Sequence, residues 1–542
     1  MTLLLLPAAL CPGLSCRDFG TGGTGEIVVP RDRLRTIEQV ELADLSSSPP
    51  TTMPATLPTT LPATAPAEVP EVAITLEEVR QMALANNLDV QVELLSPTIA
   101  RESLSEVEAQ FESLFRLNSD YGVSDTPTAS QLAGSNVKDL SISPGLVLPL
   151  RTGGTVQLAV PMSRLETNNQ FSTLNPAYTS DVSASISHPL LRGAGIAANS
   201  HRIRVAFYDY QISQARTKLE IIRVLAAAER VYWRLYAARR ELEVRRKEYD
   251  LAVAQLERAR RLVDAGQAAQ VEIVRAESGV ADTIEAIINA ENAVRDRQRE
   301  LKRVLNQPGL EMNTRTVLIP ATLPNALQYS LDADRLVDAA MKHRMEMLEL
   351  ELRIAQETSS VAFARNDTLP LVVLDYTYNV NGLGPGWDES FNMVSDKNFE
   401  DHRLGLRMEV PIGNEAARSR LRRALATRLQ TLTSRQQRAM LITQEVLNAL
   451  DQLQANWQRI LATRQRTILA ARLLDAEVRQ FELGLRTSTE VLAAQANLAN
   501  AQSAEIAAIT EYQISQVDIA FATGMLLGQA KVSWAPTPVP KR

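Results

Sequence analysis

Two runs of about 70 residues place an apolar residue at every seventh position, and a glycine ends each run. In the first, Ile221, Ala228, Leu235, Leu242, Tyr249, Leu256 and Val263 precede Gly266. In the second, Leu425, Leu432, Ala439, Val446, Leu453, Ile460, Thr467, Leu474 and Phe481 precede Gly484. A seven-residue repeat sustained this long describes a left-handed coiled-coil seam. At 1.5 Å per residue each run reaches roughly 100 Å, whereas an ordinary globular helix has about 11 residues. The runs share one offset of 218 residues, which puts Gly266 on Gly484, Leu235 on Leu453 and Val263 on Phe481. The match continues past the glycines, with Val271-Glu272-Ile273 on Thr489-Glu490-Val491 and Ala276-Glu277 on Ala494-Gln495. Unrelated coiled coils would not keep register through a break, so the chain reads as one unit used twice.

The segments before each seam follow a common plan. Thr75-Leu-Glu-Glu78 is a capping box opening a helix to about Phe115, with Ser96-Pro97 as its expected break or kink. Alternation at Leu117, Ser119, Tyr121 and Val123, then at Val156, Leu158 and Val160, then at Val182, Ala184 and Ile186, has strand periodicity. Arg151-Thr-Gly-Gly154 and Asn175-Pro176 supply turns. A long helix from about Ala197 to Ala265 and another from about Ala269 to Leu305 follow. The second half has a helix from Ser330-Leu331 to about Arg365, a strand Leu371–Asn379 and a Gly- and aromatic-bearing loop Asn381–Phe399. A strand Leu404–Val410, a long helix to Leu483 and a last helix to about Leu526 complete it. The span from Leu76 to Pro189 is about thirty residues longer than that from Leu331 to Pro411, and Arg151–Gly154 lies inside the excess. That turn fits an additional hairpin.

Composition removes several alternatives. A net charge of −6 over 542 residues is not that of a nucleic-acid binder. Cys11 and Cys16 are the two cysteines, so the body after them holds no disulfide or thiolate metal site. His188, His201, His343 and His402 lack ligand-like spacing, and no metal or cofactor is expected. No phosphate loop, nucleophile elbow or metal cluster is present, so no catalytic residue is assigned and the chain is not expected to be an enzyme. No stretch has the roughly 18–20 apolar residues of a spanning helix. The longest apolar run, Leu3–Leu14, is signal-like but lacks a basic n-region. Cys16 is a candidate lipidation site, although Gly13-Leu14-Ser15 before it departs from the lipobox order; the alternative is an ordinary cleavage site. Ser46–Pro70 is rich in Pro, Thr and Ala, a linker composition.

A few strands between very long helices neither make a soluble core nor close a wide barrel within one chain. Oligomerisation removes the open sheet edges. Ala-rich faces such as Ala226-Ala227-Ala228 allow close helix approach. At this point the motifs become specific. Ile74-Thr-Leu-Glu-Glu-Val79 with Ala83-Leu-Ala-Asn-Asn87 resembles the opening helix of TolC-family outer-membrane factors. His188-Pro-Leu-Leu-Arg-Gly-Ala-Gly195 is similar to the family's strand-to-helix junction, Phe481–Leu492 to its second hairpin tip, and Ala520–Leu526 to the end of its last helix. The resemblance spans residues 74 to 527.

The resemblance implies a mainly α fold with a β-barrel part. Long coiled-coil hairpins form an α-helical barrel joined to a transmembrane β-barrel, with an internal two-fold repeat, in a homotrimer. It implies a location in the outer membrane of a Gram-negative-type bacterium, extending into the periplasm. It also implies an exit duct of a tripartite efflux or type I secretion system, passively exporting small molecules or polypeptides. The partners would be a periplasmic adaptor protein, an inner-membrane pump or secretion ATPase, and outer membrane lipid, with no nucleic acid. The expected organisation is a signal-like segment 1–16, a linker 17–73, a first repeat 74–310 (strands 115–191, hairpin 197–305) and a connector 311–329. A second repeat 330–527 (strands 371–411, hairpin 414–526) and a tail 528–542 follow.

Gly266, Gln267, Gly484 and Leu485 are the expected adaptor-contact tips, though a glycine there also simply closes a helix. Phe481, Arg486 and Glu490 match positions of the family's periplasmic gate. Thr487-x-x-Glu490 is itself a capping box, so gate and cap stand as equal readings of Glu490. Phe481 replaces a tyrosine frequent in the family, and Ala493 stands where a second gate carboxylate can sit, which thins the expected gate network. Tyr121, Phe171, Tyr178, Tyr376, Tyr378, Trp387, Phe391 and Phe399 cluster in the β parts, as interfacial girdles and loops would or as strand propensity alone would. Two rivals are a periplasmic adaptor, which has a single hairpin, and a structural coiled-coil protein without a channel.

Overall fold

A computed structural model describes residues 70–127 and 134–532. The signal-like segment, Cys16, most of the linker and the end of the tail lie outside the described residues.

The chain starts with β1 (Glu71–Ile74), followed by α1 (Leu76–Asn86). The Thr75 box closes as read: Glu78 N–H donates to Thr75 Oγ1 at 3.3 Å and Thr75 N–H to Glu78 Oε2 at 2.8 Å. The helix does not run on to Phe115. It breaks at Asn87, whose extended backbone starts α2 (Leu88–Glu108). Asn87 Oδ1 accepts the N–H groups of Asp89 and Val90, and its Nδ2 donates to Val304 O at 2.9 Å. Pro97, expected as the break, lies inside α2. A helical proline frees the carbonyl four residues back; here that carbonyl, Glu93 O, accepts from Thr217 Oγ1 at 3.2 Å.

Next come β2 (Leu114–Asp125), β3 (Asn136–Pro149), β4 (Thr155–Ala159), β5 (Met162–Thr167) and β6 (Ala177–Pro189). A short α3 (Ile196–Asn199) leads into α4 (His201–Asp264), paired with α5 (Val271–Leu305). Strand β7 (Val317–Pro320), in the expected connector, pairs in parallel with β1, which takes in the last residues of the expected linker. Tyr232, fully buried, accepts from Thr322 N–H at 2.9 Å and donates to Ile74 O, fixing that pair onto α4.

The second half also breaks where one helix was expected. α6 (Ala333–His343) stops at Arg344 and α7 (Met345–Asn366) follows. Arg344, 4% exposed, donates to Glu346, Glu445 and Ala522 O at 2.8–3.2 Å. A buried guanidinium needs such partners, and reaching them holds the backbone extended at that residue. β8 (Leu371–Gly384) and β9 (Glu400–Glu409) flank α8 (Trp387–Ser395), a helix where a loop was expected. Helix α8 folds back on β6 and β8: Trp387 meets Tyr178 edge-on at 4.9 Å. A Cβ on Gly382 would lie 2.1 Å from Ser390 O, so only glycine permits the approach. α9 (Glu415–Glu482), α10 (Ser488–Ala522) and a short α11 (Leu526–Gln529) complete the chain; α11 was not foreseen.

Helix α4 has 64 residues and α9 has 68, each about 100 Å long. α4 packs along α5, α9 along α10, and α10 along α4. On α9 the seam is buried from Val446 through Leu453, Ile460 and Leu474 to Phe481, while Leu425 and Leu432 stay exposed.

The strands form one antiparallel sheet in the order β2-β3-β4/β5-β6-β8-β9. β4 and β5 hold a single register against both neighbours, interrupted only at Val160-Pro161, where proline has no N–H to give. The sheet has two chemically different faces. Directly paired residues share a face. One row runs Leu148, Val156, Ile186, Tyr376, Leu404, and the next Phe115, Leu146, Leu158, Ala184, Tyr378, His402. The opposite face carries rows such as Gln157, Ser185, Thr377, Arg403 and Asp120, Ser141, Ser163, Thr179.

Candidate functional site

The far ends of both hairpins close by the same device. Gly266 has φ +72°, its N–H donates to Val263 O at 2.9 Å, and Gln267 N–H donates to Leu262 O at 2.8 Å. Gly484 also has φ +72°, with its N–H on Phe481 O at 3.0 Å and Leu485 N–H on Gln480 O at 3.0 Å. Both are Schellman closures, which need a left-handed residue. Gly266, Gln267 and Gly484 are exposed, and Leu483 and Leu485 are each 73% exposed.

Beyond Gly484 the charged residues interlock. Arg486 Nη1 donates to Glu490 Oε1 at 2.6 Å, its Nε donates to Gln480 Oε1 at 2.9 Å, and the same Nε lies 3.3 Å from Glu477 Oε2. Glu490 Oε2 accepts from Thr487 N–H at 2.8 Å, and the reciprocal capping box of α10 is complete. Glu490 is thus a cap and an ion-pair partner at once. The Thr487 N–H, then Arg486, hold the Glu490 carboxyl below the usual range, and Glu490 pushes the Arg486 guanidinium up. Phe481 is not part of this cluster. It is 4% exposed, packed with Leu474, Val491 and Ala494 in the core of the second tip.

Glu272, the first-half counterpart of Glu490, does a different job. It does not cap its own helix; its Oε2 accepts from Ser488 N–H of α10 at 2.9 Å, and its Oε1 pairs with Arg275 at 2.6 Å. Burial pushes the Glu272 carboxyl up, but the Ser488 and Arg275 hydrogen bonds and charge outweigh it and hold the group low. Gly279 allows α5 to pass close to α10: a Cβ there would lie 2.8 Å from Leu492. Arg258 reaches Glu482 at 3.4 Å. The two hairpins are therefore clasped near their tips through Glu272, Gly279 and Arg258. Sequence reading did not find this clasp. The one available signal was Gly279, a glycine inside a helical pattern, which marks close approach.

The aromatic residues divide by position. Tyr121, Tyr178, Tyr376 and Tyr378 lie on the apolar face, Trp387 and Phe391 on α8, and Phe171 and Phe399 are exposed outside the strands. Among the described residues no group of His, Cys, Asp and Glu could hold a metal, and no helix is long and apolar enough to cross a membrane.

Residues 336–525 match the family described as Outer membrane efflux protein. The chain is 23% identical over 315 residues to the outer membrane protein TolC of Vibrio cholerae, covering 57% of this chain and 68% of that protein. Its fold is similar to the outer-membrane channel OprN, with a TM-score of 0.62 at 16% identity over 83% of this chain and 89% of OprN. It is likewise similar to the CmeC outer membrane channel of Campylobacter jejuni, with a TM-score of 0.63 at 14% identity over 83% and 86% of the two chains. The chain is thus similar to outer membrane efflux proteins over residues 336–525 and to TolC over 315 residues, and it shares the fold of the outer-membrane channels OprN and CmeC.

Proposed function

We propose that three copies of this chain assemble into the exit duct of a tripartite efflux or type I secretion system. Their sheets close one barrel in the outer membrane, and α4, α5, α9 and α10 of each copy line a periplasmic tunnel. The single observation that carries this reading is the two-faced sheet. An apolar face backed by a polar one, with strands up to 14 residues long, is the alternation of a wall between lipid and a watery lumen. Residues 74–310 and 330–527 are read as two copies of one unit joined by 311–329. Supporting this, α1 and α6 both end after 11 residues at an extended residue, Asn87 or Arg344, and both tips share one closure.

The tips at Gly266-Gln267 and Gly484-Leu485 dock a periplasmic adaptor, which connects the duct to an inner-membrane pump or secretion ATPase. Arg486 and Glu490 gate the tunnel entrance, and Phe481 supports them from the tip core rather than lining the passage. Small molecules or polypeptides pass without chemistry. An adaptor or a channel-free coiled coil has no use for a sheet with one apolar face between its hairpins. Extraction of the full chain from membranes is expected to give a trimer on unheated gels that falls to monomer on boiling. A monomer confined to the soluble fraction would overturn the reading.

A further inference from the structure

Each copy offers six strands to the wall, not the four that two strands per half would give. We propose that β9 of one copy pairs antiparallel with β2 of the next, so that three copies of this six-stranded sheet close an 18-stranded barrel. The inference rests on the trimeric channel reading and adds the size and seam of its barrel.

The extra hairpin, β3 with β4/β5, is built into the wall. Strand β2 has ladder partners only on β3, and β6 meets the first half only through β4 and β5. Withdrawing the hairpin would leave β2 without its ladder partner and β6 paired on its β8 side alone. The apolar row from Leu148 through Val156, Ile186 and Tyr376 to Leu404 crosses it without a break. Its turn is also anchored where α4 begins. Gly195 N–H donates to Thr152 O at 2.9 Å. Gly153, at φ +100°, sits so close to Gly193 O that a Cβ would lie 2.3 Å from it.

The two edges fit a second copy of the chain. Successive strands alternate in direction, and with six of them β2 and β9 run opposite ways, so head-to-tail addition continues the antiparallel ladder. Both edges carry the same alternation on the same faces. Leu117 and Tyr121 on β2, and Leu404 and Leu406 on β9, are 58–73% exposed. Open apolar edges of this kind are a pairing template, and a heterologous edge contact whose rotation closes makes a ring with no edge left open. Eighteen strands about 4.8 Å apart, tilted about 40°, give a backbone diameter of about 36 Å, against about 24 Å for twelve.

Electron cryomicroscopy of the full chain extracted from membranes tests this directly. An 18-stranded ring about one and a half times the diameter of a 12-stranded one is the expected result, and a variant lacking 136–167 should shrink to the 12-stranded size while remaining trimeric. A trimeric ring of twelve strands with 136–167 outside the wall would overturn the barrel size and leave the channel reading standing. Particles with no closed ring would overturn the channel reading and this inference together.

Discussion

Single side chains at the tips carry the finest part of the account. Glu272 holds the first N–H of α10 from the other hairpin. A capping interaction of this kind contributes about 1 kcal/mol, so Glu272→Ala should speed amide exchange at Ser488 and the first turn of α10 while leaving the rest of the molecule protected. Unchanged exchange there would remove the clasp from the account. Glu272 and Glu490 are both held below the ordinary carboxylate range. A depressed folded value contributes stability above the unfolded pKa of about 4.3, and that contribution is lost as pH falls through the lower folded value. Tip protection in hydrogen exchange should therefore be flat from pH 8 to about 5 and decline below about 4. A decline centred near pH 6 to 7 would implicate a different group. At this scale the sequence revealed half of what matters. The Thr487–Glu490 box was legible because its partners are three residues apart. The Glu272–Ser488 bond was not, because it joins residues more than two hundred apart whose meeting depends on which face of α5 turns toward α10.

At the scale of elements, periodicity and glycine placement predicted the long helices to within a few residues, since a heptad seam and a left-handed closure are both local in sequence. Gly484→Ala should cost about 1–2 kcal/mol for a left-handed alanine and fray the last turn of α9, read by proteolysis between α9 and α10. Normal resistance would mean that the closure is dispensable. Gly279→Leu should collide with Leu492 and pry α5 from α10, giving faster exchange along both facing surfaces. The interruptions at Asn87 and Arg344 were not legible. Each is set by distant partners, Val304 O for the first and Glu445 and Ala522 O for the second. Pro97 pointed to the wrong place because Thr217 takes over the carbonyl it frees. Helix α8 hid in a segment whose glycines read as loop, yet Gly382 is there so that a helix can lie against the strand.

For the whole molecule, the proposed assembly from further copies of the chain rests on the sheet's two faces, its open edges and the exposed seam residues Leu425 and Leu432. The sequence showed that the first half had surplus β residues and that Arg151–Gly154 was a turn; pairing added that the surplus is one full hairpin in the sheet. Sheet order was beyond sequence reading, because a strand's neighbours are chosen by the apolar rows of the assembled wall rather than by its own alternation. The proposed duct conducts and is closed at its tips by Arg486 and Glu490. Single-channel recording in planar bilayers tests it most directly, with the wild type beside an Arg486→Ala, Glu490→Gln double variant. Discrete current steps are expected for the wild type, and a conductance several-fold larger for the double variant. Bilayers that stay silent with both proteins would contradict it.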